Sequence, residues 1–366
     1  MKGTHKDRLL PFQRSTLKLK TLRHPYILSY LDNVDLDEEL VLVTEGCTPL
    51  EEWLLEGSKK GNTRSPLEKE SMEQEILWGF KCVLESLQFL HSNGLVHNYL
   101  GRHSIFVSKS GDWKIGSLDL IANLTVDDDF TFLSTHAHLL TKPYSVPERE
   151  QSLVRPSESE RGGKLAVGSA ADIYSLACCI RDTFSQVGIT VPDGLSKYFT
   201  RMMSTDPKRR PTASQLSKCP VFTSDSIKLM ASLGDLEALK PAAESLEILT
   251  QLSEKIPNLP VSICVHKILP SLARTLQMAC TDFNNRDSRE ACRQVRKKNH
   301  KSAAQYFVIA ICDLFSCYAI LYICFASKRI LYFVLYKCFS IHAENASINV
   351  FTHLFHFFSS EYTAVS

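Results

Sequence analysis

The residues with chemical potential gather in one short stretch, His97-Asn98-Tyr99-Leu100-Gly101-Arg102-His103-Ser104, followed by Ser117-Leu118-Asp119. His97 is a candidate base, weighed against a packing role, and Asp119 is a carboxylate that could serve a metal ion. Between them stands Tyr99, a phenol whose reference pKa of about 10 makes it a poor proton acceptor at neutral pH. Elsewhere the 12 cysteines are scattered. Their one adjacent pair is Cys178-Cys179, and no repeated C-x-x-C spacing could hold zinc. On a helix interior that pair reads as two small buried hydrophobes rather than a redox couple.

With 366 residues, 44% hydrophobic and 22% charged, the chain has the composition of a core-forming globular protein of one large or two ordinary domains. Its formal charge of +2 gives no overall field toward nucleic acid or acidic membranes. The basic run Arg293, Arg296, Lys297, Lys298 and Lys301 reads as a solvated helix face or linker, so no nucleic-acid partner is expected. The scattered cysteines fit a reducing cytosol, and the first sixteen residues lack the apolar core of a signal peptide.

The elements that must position the 97–119 stretch follow from periodicity. Leucines at 9, 10, 17, 19 and 22 predict a helix whose regular part starts near Pro11. Ile27 to Leu31 and Leu40 to Thr44 predict a strand pair across an acidic turn. Residues 57–70 read as a loop, and Ile76, Leu77, Phe80, Val83, Leu84, Leu87 and Leu90 form one helical stripe that ends at Asn93-Gly94. Val96, Ile105 to Val107 and Trp113 to Ile115 predict short strands. A loop-rich stretch from 123 to 168 precedes a helix starting near Ala170. Residues 245–279 read as two amphipathic helices split by Pro257 and Pro260, the form of one helical-repeat unit.

In order and spacing, five segments resemble a eukaryotic protein kinase: His24-Pro25-Tyr26-Ile27-Leu28, Leu42-Val43-Thr44-Glu45, Val146-Pro147-Glu148, Asp172-Ile173-Tyr174-Ser175-Leu176, and Asp206-Pro207-Lys208-Arg209-Arg210-Pro211-Thr212. Within that superfamily the chain resembles the Scy-like, or N-terminal kinase-like, pseudokinases through LKTLRHPYILSYLD, VTEGCTPLEEWL, the His97-Asn98 pair, GDWKIGSLD and Val265-His266-Lys267-Ile268-Leu269-Pro270. The resemblance implies an α+β protein-kinase-like fold lacking the first N-lobe strands and followed by a HEAT-like helical segment. Its divisions are a remnant N-lobe over 1–48, a C-lobe over 49–222, the start of a HEAT-type repeat over 223–296 and an atypical hydrophobic tail over 297–366.

The same resemblance implies roles by position. Tyr99 stands in the place of the catalytic aspartate, Gly101 of the lysine that faces the transferred phosphate, Ser104 of the metal-binding asparagine and Ser117 of the metal-binding aspartate. Ser15 falls at the helix C glutamate, the glycine-rich loop and its lysine have no counterpart, and Asn98 replaces the arginine that would receive an activation-loop phosphate. His97, Glu148, Asp172 and Arg210 are implied as structural anchors, Glu148 with Arg210 as a buried ion pair. No catalytic, metal or cofactor residue is implied.

The function implied is a catalytically inactive, cytoplasmic scaffold in Golgi-linked vesicle traffic, with coat proteins or small-GTPase machinery as partners. Two alternatives stay open. One is a weak or atypical serine/threonine kinase that binds ATP with Asp119 as surrogate metal ligand. The other is a tail-anchored membrane protein, because Ala303 to Ala326 is apolar apart from Asp313 and is about the ~20 residues a membrane helix needs. Nine of the 19 phenylalanines lie after Ser302, an abrupt change that favours an alternative or read-through terminus over an anchor.

Overall fold

The computed structural model describes residues 6–35, 39–59, 64–123, 126–139, 144–147, 161–237, 259–260, 263–268 and 270–272. It begins with α1 (Lys6–Thr21), which runs through Pro11 rather than starting at it. Proline costs the helix one N–H donor, and here the ring is buried. Next come β1 (Tyr30–Asp35) and β2 (Leu40–Thr44), an antiparallel pair in which Val34 faces Val41. α1 packs on both strands and on a 3₁₀ turn, Leu118–Leu120.

The first strand therefore lies three residues later than its apolar run predicts. Ile27 and Leu28 are buried and serve the C-terminal lobe instead: Leu28 N–H donates to the Ile115 carbonyl at 2.9 Å, and Ile115 N–H to the Tyr26 carbonyl at 3.0 Å. The strand itself uses Asp32 and Asp35, which point into solvent and carry no burial cost.

The second sheet joins β3 (Cys47–Pro49), β4 (Ile105–Ser108) and β5 (Trp113–Ile115) in that order, all antiparallel. Two helices border it, α2 (Leu50–Ser58) and α3 (Pro66–Ser92). α3 starts ten residues before its apolar stripe because Ser65 and Glu68 form a capping box and Pro66 takes the first helical position. Gly94, at φ 71°, turns the chain out of the helix. A core forms where the Trp113 indole lies flat on α3: a Cβ at Gly79 would fall 2.1 Å from that ring, and Phe80 and Trp53 meet its edges at 5.0 and 5.7 Å.

The stretch read as loop from 123 to 168 holds α4 (Asp127–Thr135) and the start of α5 (Arg161–Val187). Gly162, Gly163 and Gly168 hid that onset, since each weakens a helix by about 1 kcal/mol relative to alanine. Then follow α6 (Asp193–Met202), the single turn α7 (Ala213–Leu216) and α8 (Asp225–Glu237). Cys178 and Cys179 are buried in α5, where burial raises both thiols above their ordinary range.

The chain divides into two compact units, one of Met1–Asp235 with Asn258–Ile268, the other of Leu236–Pro257 with Leu269–Ser366. In the first, a π-helical turn, Cys264–Ile268, places Lys267 Nζ 2.5 Å from Asp112 Oδ1 and 4.7 Å over the Trp78 ring. Most of the segment read as two repeat helices, the basic run at 293–301 and the 303–326 stretch lie outside the described residues. Among the described residues no helix is long and apolar enough to cross a membrane.

Candidate functional site

The loop at 97–104 is built around Asp172 of α5, which is 1% exposed. Its Oδ2 accepts from the His97 backbone N–H at 2.8 Å and from His91 Nε2 at 3.0 Å, and its Oδ1 accepts from the Asn98 N–H at 2.9 Å. Burial alone would raise the carboxyl, but the His91 hydrogen bond, the charge potential of His91 and His97 and the backbone donor outweigh it. The carboxyl is held below its ordinary range. His97 is fully buried, bonds the Gly116 carbonyl through Nε2 at 3.0 Å, and is depressed chiefly by desolvation.

Asn98 takes a left-handed backbone, φ 60°, which asparagine tolerates better than most residues. Its side-chain amide donates to the Val96 and Leu120 carbonyls, both at 3.1 Å. Arg210 is buried and donates to the carbonyls of Ser204 (2.9 Å) and Ala170 (3.2 Å), with its guanidinium 5.0 Å over the Tyr174 ring. Glu148, expected opposite it, lies outside the described residues.

The remaining positions of the loop fill their own space. Gly101 has no room for a side chain: a Cβ there would fall 2.4 Å from His103 Cε1 and 2.9 Å from Tyr144. The Ser104 hydroxyl, fully buried, donates to the Gly101 carbonyl at 2.8 Å and accepts from its N–H at 3.0 Å, so both partners are local. Tyr99 sits with its ring centroid 4.5 Å from that of His103. Burial raises its phenol, the nearby Asp119 raises it further, and Arg8 opposes them. Ser117 holds a left-handed φ of 48°, unusual for serine.

Asp119 follows on the 3₁₀ turn and faces a cavity of about 440 Å³ between α1, the start of β2, Tyr99 and Leu139. Burial raises its carboxyl, while a hydrogen bond from the Ser15 side chain and the Arg8 charge lower it, leaving it above the ordinary range. Its Oδ1 is buried with no hydrogen-bond partner. Ser15 and Asp119 thus tie α1 to the turn. Among the described residues no group of three histidine, cysteine, aspartate or glutamate side chains could hold a metal ion.

Three further ties were not legible as site residues. Arg14 of α1 donates to the Ile121 carbonyl at 3.0 Å, pairs with Asp129 of α4 at 2.5 Å and lies 4.5 Å over the Phe132 ring. Glu45, after β2, accepts from the Ser29 N–H at 2.8 Å and from Lys114 at 2.7 Å. His91 reaches Asp172 from α3. Each joins residues far apart in sequence and carries no local pattern; only the i, i+4 offset of His91 from the apolar stripe at Leu87 hinted that it faces inward.

The fold is protein-kinase-like, and residues 12–189 match the protein kinase domain family. The relatives narrow this. The chain is 26% identical over 271 residues to the probable inactive serine/threonine-protein kinase scy1 of Dictyostelium discoideum, covering 71% of this chain and 31% of that protein. It is 28% identical over 267 residues to the mouse protein-associating with the carboxyl-terminal domain of ezrin, covering 71% and 33%. Human SCY1-like protein 2 is 24% identical over 306 residues, covering 73% and 32%. The chain is thus similar to protein kinase domains over residues 12–189 and to Scy1-like proteins over about seven tenths of its length. It spans about a third of the length of these relatives.

Proposed function

We propose that this chain is a pseudokinase scaffold, a kinase-like framework that works by binding protein partners and transfers no phosphate. The observation that carries the reading is what occupies the 99–117 positions. Tyr99, Gly101, Ser104 and Ser117 stand where the family places its catalytic aspartate, lysine, asparagine and metal-binding aspartate. Phosphoryl transfer is mainly positioning and charge neutralisation, so it needs those groups together. The residues present do not fit a magnesium-bound triphosphate. The lysine slot is taken by the His103 ring, the Ser104 hydroxyl is spent on Gly101, and Asp119 offers one lone carboxylate. The groups that hold the framework, His97, Asp172 and Arg210, keep buried partners. They are assigned as anchors on that basis, while Glu148, as the fourth, rests on the family resemblance alone.

The name of the Dictyostelium relative, a probable inactive kinase, supports the same reading, and that of the mouse relative supports protein association as the working activity. The finer assignment, a cytoplasmic and Golgi-associated role in vesicle traffic with coat or small-GTPase machinery as partners, rests on the family resemblance. Two measurements test the proposal. Purified chain is expected to show no thermal stabilisation and no phosphate incorporation into substrate with Mg-ATP; stoichiometric, metal-dependent labelling overturns the pseudokinase reading. Tagged chain captured from cytosol is expected to retain coat components or trafficking GTPases at near-stoichiometric levels, and their absence removes the trafficking assignment while leaving the first result intact.

A further inference from the structure

Asp112, in the turn before β5, gathers side-chain donors from three directions. Trp78 Nε1 of α3 donates to its Oδ1 at 2.8 Å, Ser110 Oγ donates to its Oδ2 at 2.7 Å, and Lys267 Nζ lies 2.5 Å from Oδ1. The same Nζ stands 4.7 Å over the Trp78 ring, which meets the Tyr26 ring edge-on at 6.1 Å. One ammonium is thus bound twice, by a carboxylate and by an indole face. The groups that bind it belong to α3, the β4–β5 turn and Tyr26, so the niche is organised without the segment that fills it. That segment comes from 155 residues along the chain. It is the π-helical turn Cys264–Ile268, in which Cys264 and Ile268 are buried and His266 is exposed.

We propose that residues 258–268 form a detachable strap, and that Trp78 and Asp112 are a lysine-binding niche which the strap fills in cis and a partner protein fills when the strap is away. The partner segment carries a lysine among apolar residues, as the strap itself does with Ile263, Cys264, Lys267 and Ile268. A short docked segment opens at less cost than the whole fold, which makes the niche accessible without unfolding the domain. A tethered ligand competes at high effective concentration, so the seated strap holds the niche closed to weak rivals. An acidic side chain in place of the lysine would meet Asp112 with like charge, and an apolar one would forgo both the carboxylate and the cation–π contact. The inference names a binding surface for the scaffold reading and rests on that reading only for the existence of a partner. Peptide binding tests the niche and phosphate transfer tests the scaffold reading, so each can fail alone.

The probe is a fluorescein-labelled peptide of residues 258–268, compared with the same peptide carrying Lys267→Met, each titrated into full-length chain and followed by fluorescence anisotropy. Full-length chain with Lys267→Met, whose own strap cannot fill the niche, is expected to bind the lysine peptide at least about tenfold more tightly than the wild-type chain does. It is expected to prefer the lysine peptide to the methionine peptide by about the same factor, the loss of one charge-assisted bond. Adding Asp112→Asn is expected to erase that preference. Equal binding of the two peptides, equal binding by the two chains, or a lysine preference that survives Asp112→Asn overturns the proposal. Should either variant not fold, hydrogen exchange of the wild-type chain decides. The backbone amides of 264–268 are expected to exchange at least about tenfold faster than the slowest amides of α3, because the strap opens on its own. Exchange of both segments at one common rate overturns the assignment.

Discussion

Asp172 and Asp119 are both aspartates beside the same loop, and they have opposite environments. Asp172 is sealed in the core with two backbone N–H donors and a histidine, and its carboxyl is depressed. Asp119 faces a cavity with one oxygen unmet, and its carboxyl is raised. The first is a carboxylate that the fold uses; the second is one that the fold tolerates. His97, Asn98 and Ser104 spend their polar groups on holding backbone, whereas His103 Nε2 and Asp119 Oδ1 are buried without a hydrogen-bond partner.

The sharpest way to break this contrast is Asp172→Ala. Removing one partner of a buried, fully bonded charge leaves the His97 and Asn98 N–H groups without an acceptor, and a loss of about 3–5 kcal/mol is expected in urea denaturation. A loss under about 1 kcal/mol would mean that the loop does not depend on this carboxylate. The pH profile carries the same sign. Asp172 and His97 are both depressed in the folded state, from ordinary values of 3.8 and 6.5. Each therefore contributes stability that is fully present above its ordinary value and is lost as pH falls through the folded one. Stability is expected to decline in two stages on acidification, first below 6.5 as His97 is forced to charge, then below 3.8.

A smaller effect is expected from Gly101→Ala. The added Cβ meets His103 and Tyr144 inside van der Waals contact, and over-packing of this kind costs about 1–3 kcal/mol. A neutral result, read from the shift in denaturation midpoint, would show the lysine slot to be open after all and would weaken the comparison. Next in size is Arg14→Ala, which removes the Asp129 pair and the Phe132 contact. Both partners of that pair are partly exposed, so the ionic part is discounted, and about 1–2 kcal/mol is expected. Hydrogen exchange should report it as faster opening of α4 and the N-terminal half of α1.

These residues also show how far the sequence could be read. The framework was legible because it is carried by local patterns: the leucine stripe of α3, the short strands around Ser110-Gly111-Asp112 and the 206–212 segment whose Asp206 caps its own turn. The capping box at Ser65 and Glu68 lies in a polar, glycine-containing run that reads as loop, so the sequence sets the start of α3 too late. What stayed hidden was pairing at a distance. Arg14 with Asp129, Glu45 with Lys114 and Lys267 with Asp112 are single charges among many, and nothing in their neighbours marks the partner. Position by family resemblance singled out Tyr99, Gly101, Ser104 and Ser117, but only the packing reveals that His103 fills the space over Gly101.

Asp119→Asn should have the smallest effect on stability and the most instructive sign. Because its carboxyl is raised in the folded state, Asp119 favours the fold as the neutral acid and works against it once ionised. Its contribution is present below the ordinary value of 3.8 and is lost as pH rises through the raised one. Asparagine keeps a neutral side chain of the same shape and an acceptor for Ser15. The variant is therefore expected to match the wild type in acid and to equal or exceed it by less than about 1 kcal/mol at neutral pH, compared by urea denaturation at both. A variant less stable at neutral pH by more than that would mean the ionised carboxylate is held by partners after all, and the two aspartates would then be anchors of one kind.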